Sequence, residues 1–450
     1  MKKILLIGCG AREHIIAEKL KASSEDVELF VVGPNENPGI VSLSEEYLLA
    51  SVDDVEAIVD FALNHKVDFA VIGPELPLEK GVVDALERAG VKSASPRSEV
   101  AKLETSKGFT RDLLAKYGIT GNPKFKVFDD VASVDDLEAW FAELGDAYVV
   151  KDDGLRGGKG VKVGGEHLIG LDEGIDYAKE CLAGSGRVVV EEKLVGQEFS
   201  VLFFCDGVTV IPMPVVQDHK RAFDGDVGPN TGGMGTYSFQ GGSLPFLSDD
   251  DLLSAVEITE KVVAAVHEET GVKYVGVLYG GFMAVADGVR LIEYNARYGD
   301  PEAMNVLTLL DGDLVEICEA MIDGKLDEVE VLFSNMATVC KYVVPQWYPD
   351  GVRGDADNRL WLELPVDSVL DERQLQVYLG SVEEVDGELR MLGSRAVAFV
   401  GIGATLEEAE RIAQSGVEMV RGAVRYRSDI GKAAVIEEKI QSMNGFRKNS

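Results

Sequence analysis

The first hundred residues alternate short apolar runs with amphipathic stretches. KKILLIG, VELFVVG, VDFAVIG and VKSAS read as strands, and the residues between them carry apolar positions at helical spacing over 11–22, 55–64 and 79–89. Strands made almost entirely of Val, Ile, Leu and Phe are buried on both faces, which predicts a parallel sheet doubly wound with helices. The residues that follow the first and third strands, 8–14 and 73–76 with Glu75 among them, then fall at the carboxyl ends of strands. Open α/β sheets place their ligands there.

A helix is predicted over 99–117, with Lys107 in its middle. From Phe125 the pattern turns richer in strands: FKVF, YVVK, GVKV, RVVVEE and EFSVLFF, with helices over 135–144 and 172–182. This is a separate α+β region. A long helix over 252–270 leads to the hairpin YVGVLYGGFMAV and VRLIEYNA, turned at Asp287 and Gly288, and a further helix covers 303–320. Past residue 324, MATVCKYVV, RLWLEL, RAVAFVGIG and a helix over 406–420 predict a smaller α+β domain at the C-terminal end.

Charge narrows the partners. The 450 residues carry a formal charge of −34, spread along the chain without a Lys/Arg-rich run, so a polyanion such as nucleic acid would be repelled. Cys9, Cys181, Cys205, Cys318 and Cys340 are scattered and never in a CxxC spacing, which suits a reducing cytosol and neither a disulfide framework nor a zinc site. The start MKKILLIGCG is a first strand rather than a signal peptide, and no apolar run nears the roughly eighteen residues of a membrane span. A soluble, cytoplasmic protein is expected.

Four segments carry candidate chemistry. DHKRAFDGDVGPNTGGMG, residues 218–235, begins with Asp218, His219, Lys220 and Arg221 and ends in glycines. It reads as an active-site loop, because such a long connection within a compact domain is uncommon unless it works. Lys151 ends a strand and is followed by DDGLRGGKG, whose Gly157, Gly158, Lys159 and Gly160 can fold over nucleotide phosphates or form a plain hairpin tip. The sequence lacks the Ser or Thr of a P-loop after its lysine. Glu191, Glu192 and Leu194 close a buried strand that can offer backbone to adenine, with Glu198 in reach of a ribose. In LIEYNARYGDPEA, strand alternation puts Glu293 and Asn295 on one face, about 7 Å apart, as two hard oxygen ligands for Mg²⁺, with Arg297 beyond and Asp300 placed to cap a helix.

The dinucleotide fingerprint fails in the first domain. After Gly8 and Gly10 the third glycine is replaced by Glu13, and the second strand ends in Gly33 and Pro34 without a ribose-binding acid. Arg12 and His14 beside a helix N-terminus suit a phosphate, or are simply first-turn residues.

Taken together, GCGAREH, GPELPL, LETSKGFTRDLLAKYGI, VVKDDGLRGGKGV, VVVEEKLVGQE, QDHKRAFDGDVGPNTGGMGTYS, GVLYGGF, IEYNARYGDPEA and RYRSDIG resemble the ATP-grasp superfamily, and within it the phosphoribosylamine–glycine ligase family. The resemblance covers nearly the whole chain. It implies an ATP-grasp fold over 105–324 with a mobile lid near 124–194, preceded by a doubly wound domain over 1–104 and followed by an α+β domain over 325–450. It further implies ligation of glycine to 5-phosphoribosylamine through a glycyl phosphate, with ATP and Mg²⁺ or Mn²⁺, in a monomer or weak homodimer. By match, Lys107, Lys151, Gly158, Lys159, Gly160, Glu191, Glu192, Leu194 and Glu198 would hold ATP, and Glu293 and Asn295 the metal. Gly10, Arg12, Glu75, Asp218, Lys220, Arg297, Gly299 and Asp300 would face the small substrates, with Lys220, Arg297 and Asp300 nearest the reacting groups. Another ATP-grasp carboxylate–amine ligase or carboxylase, or a nucleotide-binding regulatory protein, are the competing readings.

Overall fold

The computed structural model describes residues 1–129, 134–155, 160–350, 358–362 and 374–448. Five parallel strands form the first sheet in the order Glu46–Leu49, Val27–Gly33, Lys2–Ile7, Phe69–Ile72, Lys92–Ser93. Four of them come from the apolar runs, and the fifth, Glu46–Leu49, is a half-exposed edge strand that alternation does not flag. The strand order reverses between Lys2–Ile7 and Phe69–Ile72, so the segments 8–14 and 73–76 flank the crevice that such a reversal creates.

The helix expected over 99–117 is two helices, Ser98–Thr105 and Lys107–Lys116. Ser106 breaks it: its backbone is extended and its hydroxyl accepts the Phe109 N–H, capping the second helix. Lys107 therefore opens a helix instead of lying inside one. The helix expected over 303–320 is likewise split into Glu302–Leu309 and Leu314–Asp323, where Asp313 caps the second segment through the Val315 N–H.

Strands Phe125–Phe128, Val188–Glu192, Tyr148–Asp152 and Val161–Val163 make a small antiparallel sheet under two helices, Val134–Leu144 and Gly170–Ser185. Phe141, Tyr148, Val150, Leu182 and Val190 belong to a core separate from the main one. The chain leaves it through residues 193–196 into a second antiparallel sheet, ordered Val210–Pro212, Gln197–Asp206, Val275–Val285, Gly288–Asn295.

The glycine-rich segment 218–235 is more ordered than a loop. Arg221–Phe223 pairs with Val227–Asn230 as a hairpin, flanked by Gln217–Asp218 and Gly235–Ser238. Gly235–Ser238 also pairs with Ala337–Pro345, so that a single sheet runs from this segment through Val397–Gly403 to Leu375–Leu379. A helix without a clear sequence signal, Ala433–Lys448, ends the fold.

Candidate active site

The strand Gly288–Asn295 organises the site. Its register against Val275–Val285 slips by one residue between Gly281 and Phe282, so Ile292 is the extra residue of a bulge. The freed Ile292 carbonyl accepts from Lys151 Nζ at 3.0 Å and from Arg111 Nη2 at 2.7 Å, and the Leu291 carbonyl accepts from Arg111 Nη1 at 2.9 Å. Arg111 also grips Glu191 through Nε at 2.8 Å, and Lys151 forms an ion pair with the same carboxylate. All three side chains are buried. A buried charge set is tolerable only when its hydrogen bonds are met, and here they are.

Past the bulge, alternation returns Glu293 and Asn295 to one face. Burial pushes the Glu293 carboxyl up, but Lys220, Lys151, Lys107 and Arg297 together hold it below the ordinary carboxylate range. These four cations arrive from the helix after Ser106, the small antiparallel sheet, the hairpin segment and the turn beyond Asn295. Lys107 Nζ donates to the Gly154 carbonyl at 2.9 Å, and its own N–H meets Asp153 Oδ1. Lys220 forms an ion pair with Glu198.

Arg297 lies beyond the strand, with Nη2 at 3.2 Å from Asn295 Oδ1 and 3.1 Å from Glu104 Oε1, and Nε 3.4 Å from Glu75 Oε2. Burial raises the Glu75 carboxyl, and Arg297 and Arg12 more than offset this and lower it. Arg12 donates to the Tyr298 carbonyl at 3.2 Å and to Glu13 Oε1 at 2.5 Å. Glu13, standing where a dinucleotide fold has glycine, also accepts the Gly10 N–H at 2.6 Å. A Cβ on Gly73 would sit 2.0 Å from Glu13 Oε1, so the glycine at the second strand tip makes room for this carboxylate. His14 points away from the crevice: Nδ1 accepts the Leu379 N–H at 2.9 Å.

Asp300 does not cap the following helix, whose N-cap is Pro301 without a side-chain bond. Its carboxylate is taken by the C-terminal domain instead, with Oδ1 accepting from the Tyr342 hydroxyl at 2.6 Å and Oδ2 from Arg395 at 2.8 Å. Asp218 Oδ1 accepts the His219 N–H at 2.7 Å; its carboxyl is pushed well up by burial and by Glu302, against Lys220. The hairpin is clamped from the same side: Arg427, almost wholly buried, donates to Asp226 at 2.6 Å and to the Arg221 carbonyl at 3.1 Å, and Arg425 donates to the Ala222 carbonyl at 2.5 Å.

Glu192 accepts the Lys124 N–H at 2.8 Å, and Leu194 lies half-buried in the connection 193–196. The Gly160 carbonyl accepts the Asp152 N–H at 2.9 Å. Gly157, Gly158 and Lys159 lie outside the described residues. Gly299 is buried against Glu302, where a Cβ would meet Oε2 at 2.4 Å. Sequence reasoning did not single out Glu104, Arg111, Tyr342, Arg395 or Arg427. Arg111 had a local signal, four residues after Lys107 and so on the same helical face. The others act on partners far away in the chain, apart from the bonds of Arg427 to Asp429.

Models of the phosphoribosylglycinamide synthetase N domain, ATP-grasp (A) domain and C domain match residues 2–104, 105–303 and 338–433. A phosphoribosylamine–glycine ligase of Methanopyrus kandleri is 47% identical over 456 residues, covering 99% of this chain and 100% of that one. The crystal structure of the phosphoribosylamine–glycine ligase of Thermotoga maritima is similar with a TM-score of 0.78 at 28% identity, over 95% of this chain and 99% of that chain. The biotin carboxylase domain of the Hydrogenobacter thermophilus 2-oxoglutarate carboxylase, solved with MgADP, shares the fold at a TM-score of 0.69 and 17% identity, over 100% of this chain and 95% of that one. With its three parts matched in order and relatives nearly half identical along its length, the chain belongs to the phosphoribosylglycinamide synthetase family.

Proposed function

We propose that the protein is the ATP-dependent ligase that joins glycine to 5-phosphoribosylamine, giving glycinamide ribonucleotide, ADP and phosphate on the route to purines. The observation that carries this reading is the placing of Lys151 and Arg297 at residues on either side of Glu293, the first donating to the Ile292 carbonyl and the second to Asn295 Oδ1, with Arg297 also reaching Glu75 in the crevice of the first sheet. Such a site neutralises a polyphosphate while leaving room for a second, phosphorylated substrate. In the reaction, a glycine carboxylate oxygen bonds to the γ-phosphorus of ATP as the bond to the ADP oxygen breaks. The ribosylamine nitrogen then bonds to the glycyl carbonyl carbon, phosphate leaves, and the nitrogen gives up a proton. Neither step needs a covalent enzyme nucleophile, so positioning and charge neutralisation supply the catalysis.

Lys107, Lys151 and Lys159 bind the phosphates together with Gly158 and Gly160, and Lys220 acts on the transferred phosphoryl group beside the small substrates. The Glu191 carboxylate is consumed by Arg111 and Lys151, so adenine is left the backbone of 191–194, with Glu192 and Leu194 at its edge and Glu198 at the ribose. Glu293 and Asn295 offer a carboxylate and an amide oxygen on one strand face, a hard donor set that fits Mg²⁺ or Mn²⁺. Bound there, the cation would neutralise phosphate charge. Gly10, Arg12 and Glu75 serve the phosphoribosyl group, and Asp218, Arg297, Gly299 and Asp300 the glycine. No helix among the described residues is long and apolar enough to cross a membrane. A cytoplasmic monomer or weak homodimer, without nucleic acid, completes the proposal.

The test is a coupled assay of ADP release with the purified chain. Turnover that requires ATP, glycine and freshly generated phosphoribosylamine together is expected; ADP release at the same rate without either of the latter two would sink it.

A further inference from the structure

We infer that Arg395 is a positioning residue that sets the spacing between Asp218 and Asp300, and through it the affinity for the ammonium group of the amino-acid substrate. The inference rests on the reading above that these two aspartates face glycine. Arg395 belongs to the C-terminal domain, just before the strand Val397–Gly403, and its backbone carbonyl accepts the Ser381 N–H there, yet the hydrogen bonds of its guanidinium reach outside that domain. Nη1 donates to the carbonyls of Gly232 at 2.6 Å, Gly233 at 3.1 Å and Asp300 at 2.8 Å, and Nη2 donates to Asp300 Oδ2 at 2.8 Å. The guanidinium carbon sits 4.7 Å from the centroid of the Tyr342 ring. The hydroxyl of that tyrosine takes the other Asp300 oxygen at 2.6 Å.

One planar group thus fastens the end of the hairpin segment to the turn after the strand of Glu293. The fit at this junction is close. Gly233 has φ +109°, and a Cβ there would meet Pro301 Cδ at 2.6 Å and Asp218 Oδ1 at 2.8 Å. Asp218 and the Asp300–Pro301 turn therefore close on each other across Gly233, at a separation fixed by the carbonyls that Arg395 holds. The Asp300 carboxylate, already paired with Arg395, and the Asp218 carboxyl present oxygen acceptors at a fixed spacing, and glycine is the substrate that brings N–H donors to meet them, as an ammonium. A lysine can replace the charge of Arg395 but not its planar fork, which serves three carbonyls and a carboxylate at once.

The experiment compares Arg395→Lys, Tyr342→Phe and Asp300→Asn in the full chain, by melting temperature, nucleotide titration and the Michaelis constants of all three substrates. Arg395→Lys is expected to raise the glycine constant about tenfold or more while that of ATP moves less than about twofold. Tyr342→Phe, which loses one hydroxyl, should raise the same constant by a smaller factor. Should Arg395→Lys fail to fold, Tyr342→Phe carries the test alone. Unchanged glycine constants in both variants, or equal rises for all three substrates, overturn the inference. Asp300→Asn separates the two levels. If it raises the glycine constant while the other two variants do not, only the role of Arg395 fails; a wild-type constant in Asp300→Asn removes the reading on which that role rests.

Discussion

Glu104 Oε1 stands 3.1 Å from Arg297 Nη2, which ties the end of the first domain's last helix to the turn that follows the strand of Glu293 and Asn295. The other oxygen accepts the Ala296 N–H at 2.7 Å. Burial pushes the Glu104 carboxyl up to about 7, with Arg297 opposing and Glu75 adding to the rise. The folded protein therefore holds this proton more tightly than the unfolded chain does. Its stabilisation is complete below the ordinary glutamate value near 4.5 and is lost as pH rises through about 7. Glu104→Gln, which stays neutral, is expected to remove that slope. Denaturant titrations at pH 5 and pH 8 should show the wild type losing about 2 kcal/mol more than the variant over the interval. Parallel losses in both proteins would rule out the shift.

The Arg111, Glu191 and Lys151 network supports a second expectation. Burial lowers the Lys151 ammonium and Glu191 opposes it, while Arg111 and Lys151 more than offset the burial that would raise Glu191. Glu191→Leu would strand two buried cations around the Ile292 carbonyl. A loss of about 3–5 kcal/mol is expected, since removing one partner of a buried pair leaves an uncompensated charge. Chemical denaturation measures it, and a change below about 1 kcal/mol would mean the cluster is hydrated and loosely held.

Much of this frame was legible in the chain, because the strands of the first sheet and the Glu293 strand announce themselves through apolar continuity and alternation. Ser106 and Asp313 were legible too, as capping residues, yet apolar spacing that continued on either side disguised the breaks they make. Asp300 shows where local reasoning stops. Preceding a helix, it has the look of a cap, but Arg395 and Tyr342 outcompete the helix terminus for its oxygens. Nothing near Arg395 in the sequence points to residues 232, 233 or 300, since the sheet that joins Gly235–Ser238 to Ala337–Pro345 creates that proximity. The bulge at Ile292 was equally hidden, being a property of two strands and not of one.

His219 supplies a prediction of opposite sign to that of Glu104. It is 2% exposed, packs its ring 5.6 Å from that of Tyr237, and neither ring nitrogen meets a hydrogen-bond partner among the described residues. Burial, with Lys439 nearby, pushes its pKa down to about 3, and burial pushes His14 down to about 4. For a histidine lowered on folding, the unfolded chain binds the proton more readily. Stability therefore falls as pH drops below about 6.5, by about 2 kcal/mol for His219 between pH 7 and pH 5. His219→Phe keeps the shape without the titration, and should flatten that part of the acid limb while leaving the fold intact. An unchanged acid limb in the variant would show that the imidazole reaches solvent.

Lys220 and Glu198 form an ion pair across the cleft between the hairpin segment and the strand Gln197–Asp206. Burial lowers the Lys220 ammonium, but Glu198, Tyr279, Glu293 and Asp218 together raise it well above the ordinary lysine value, so it stays charged throughout the working range. A lysine that neutralises the transferred phosphoryl group acts most strongly in the transition state, whereas a carboxylate on the ribose acts equally in ground and transition states. Lys220→Met is therefore expected to lower kcat by about 10²–10³ with little change in nucleotide affinity. Glu198→Gln should instead weaken nucleotide binding by about tenfold and spare kcat. Calorimetric titration with ADP and single-turnover ADP formation separate the two effects. If Lys220→Met weakens ADP binding and turnover to the same degree, the lysine serves the bound nucleotide uniformly and has no special part in phosphoryl transfer.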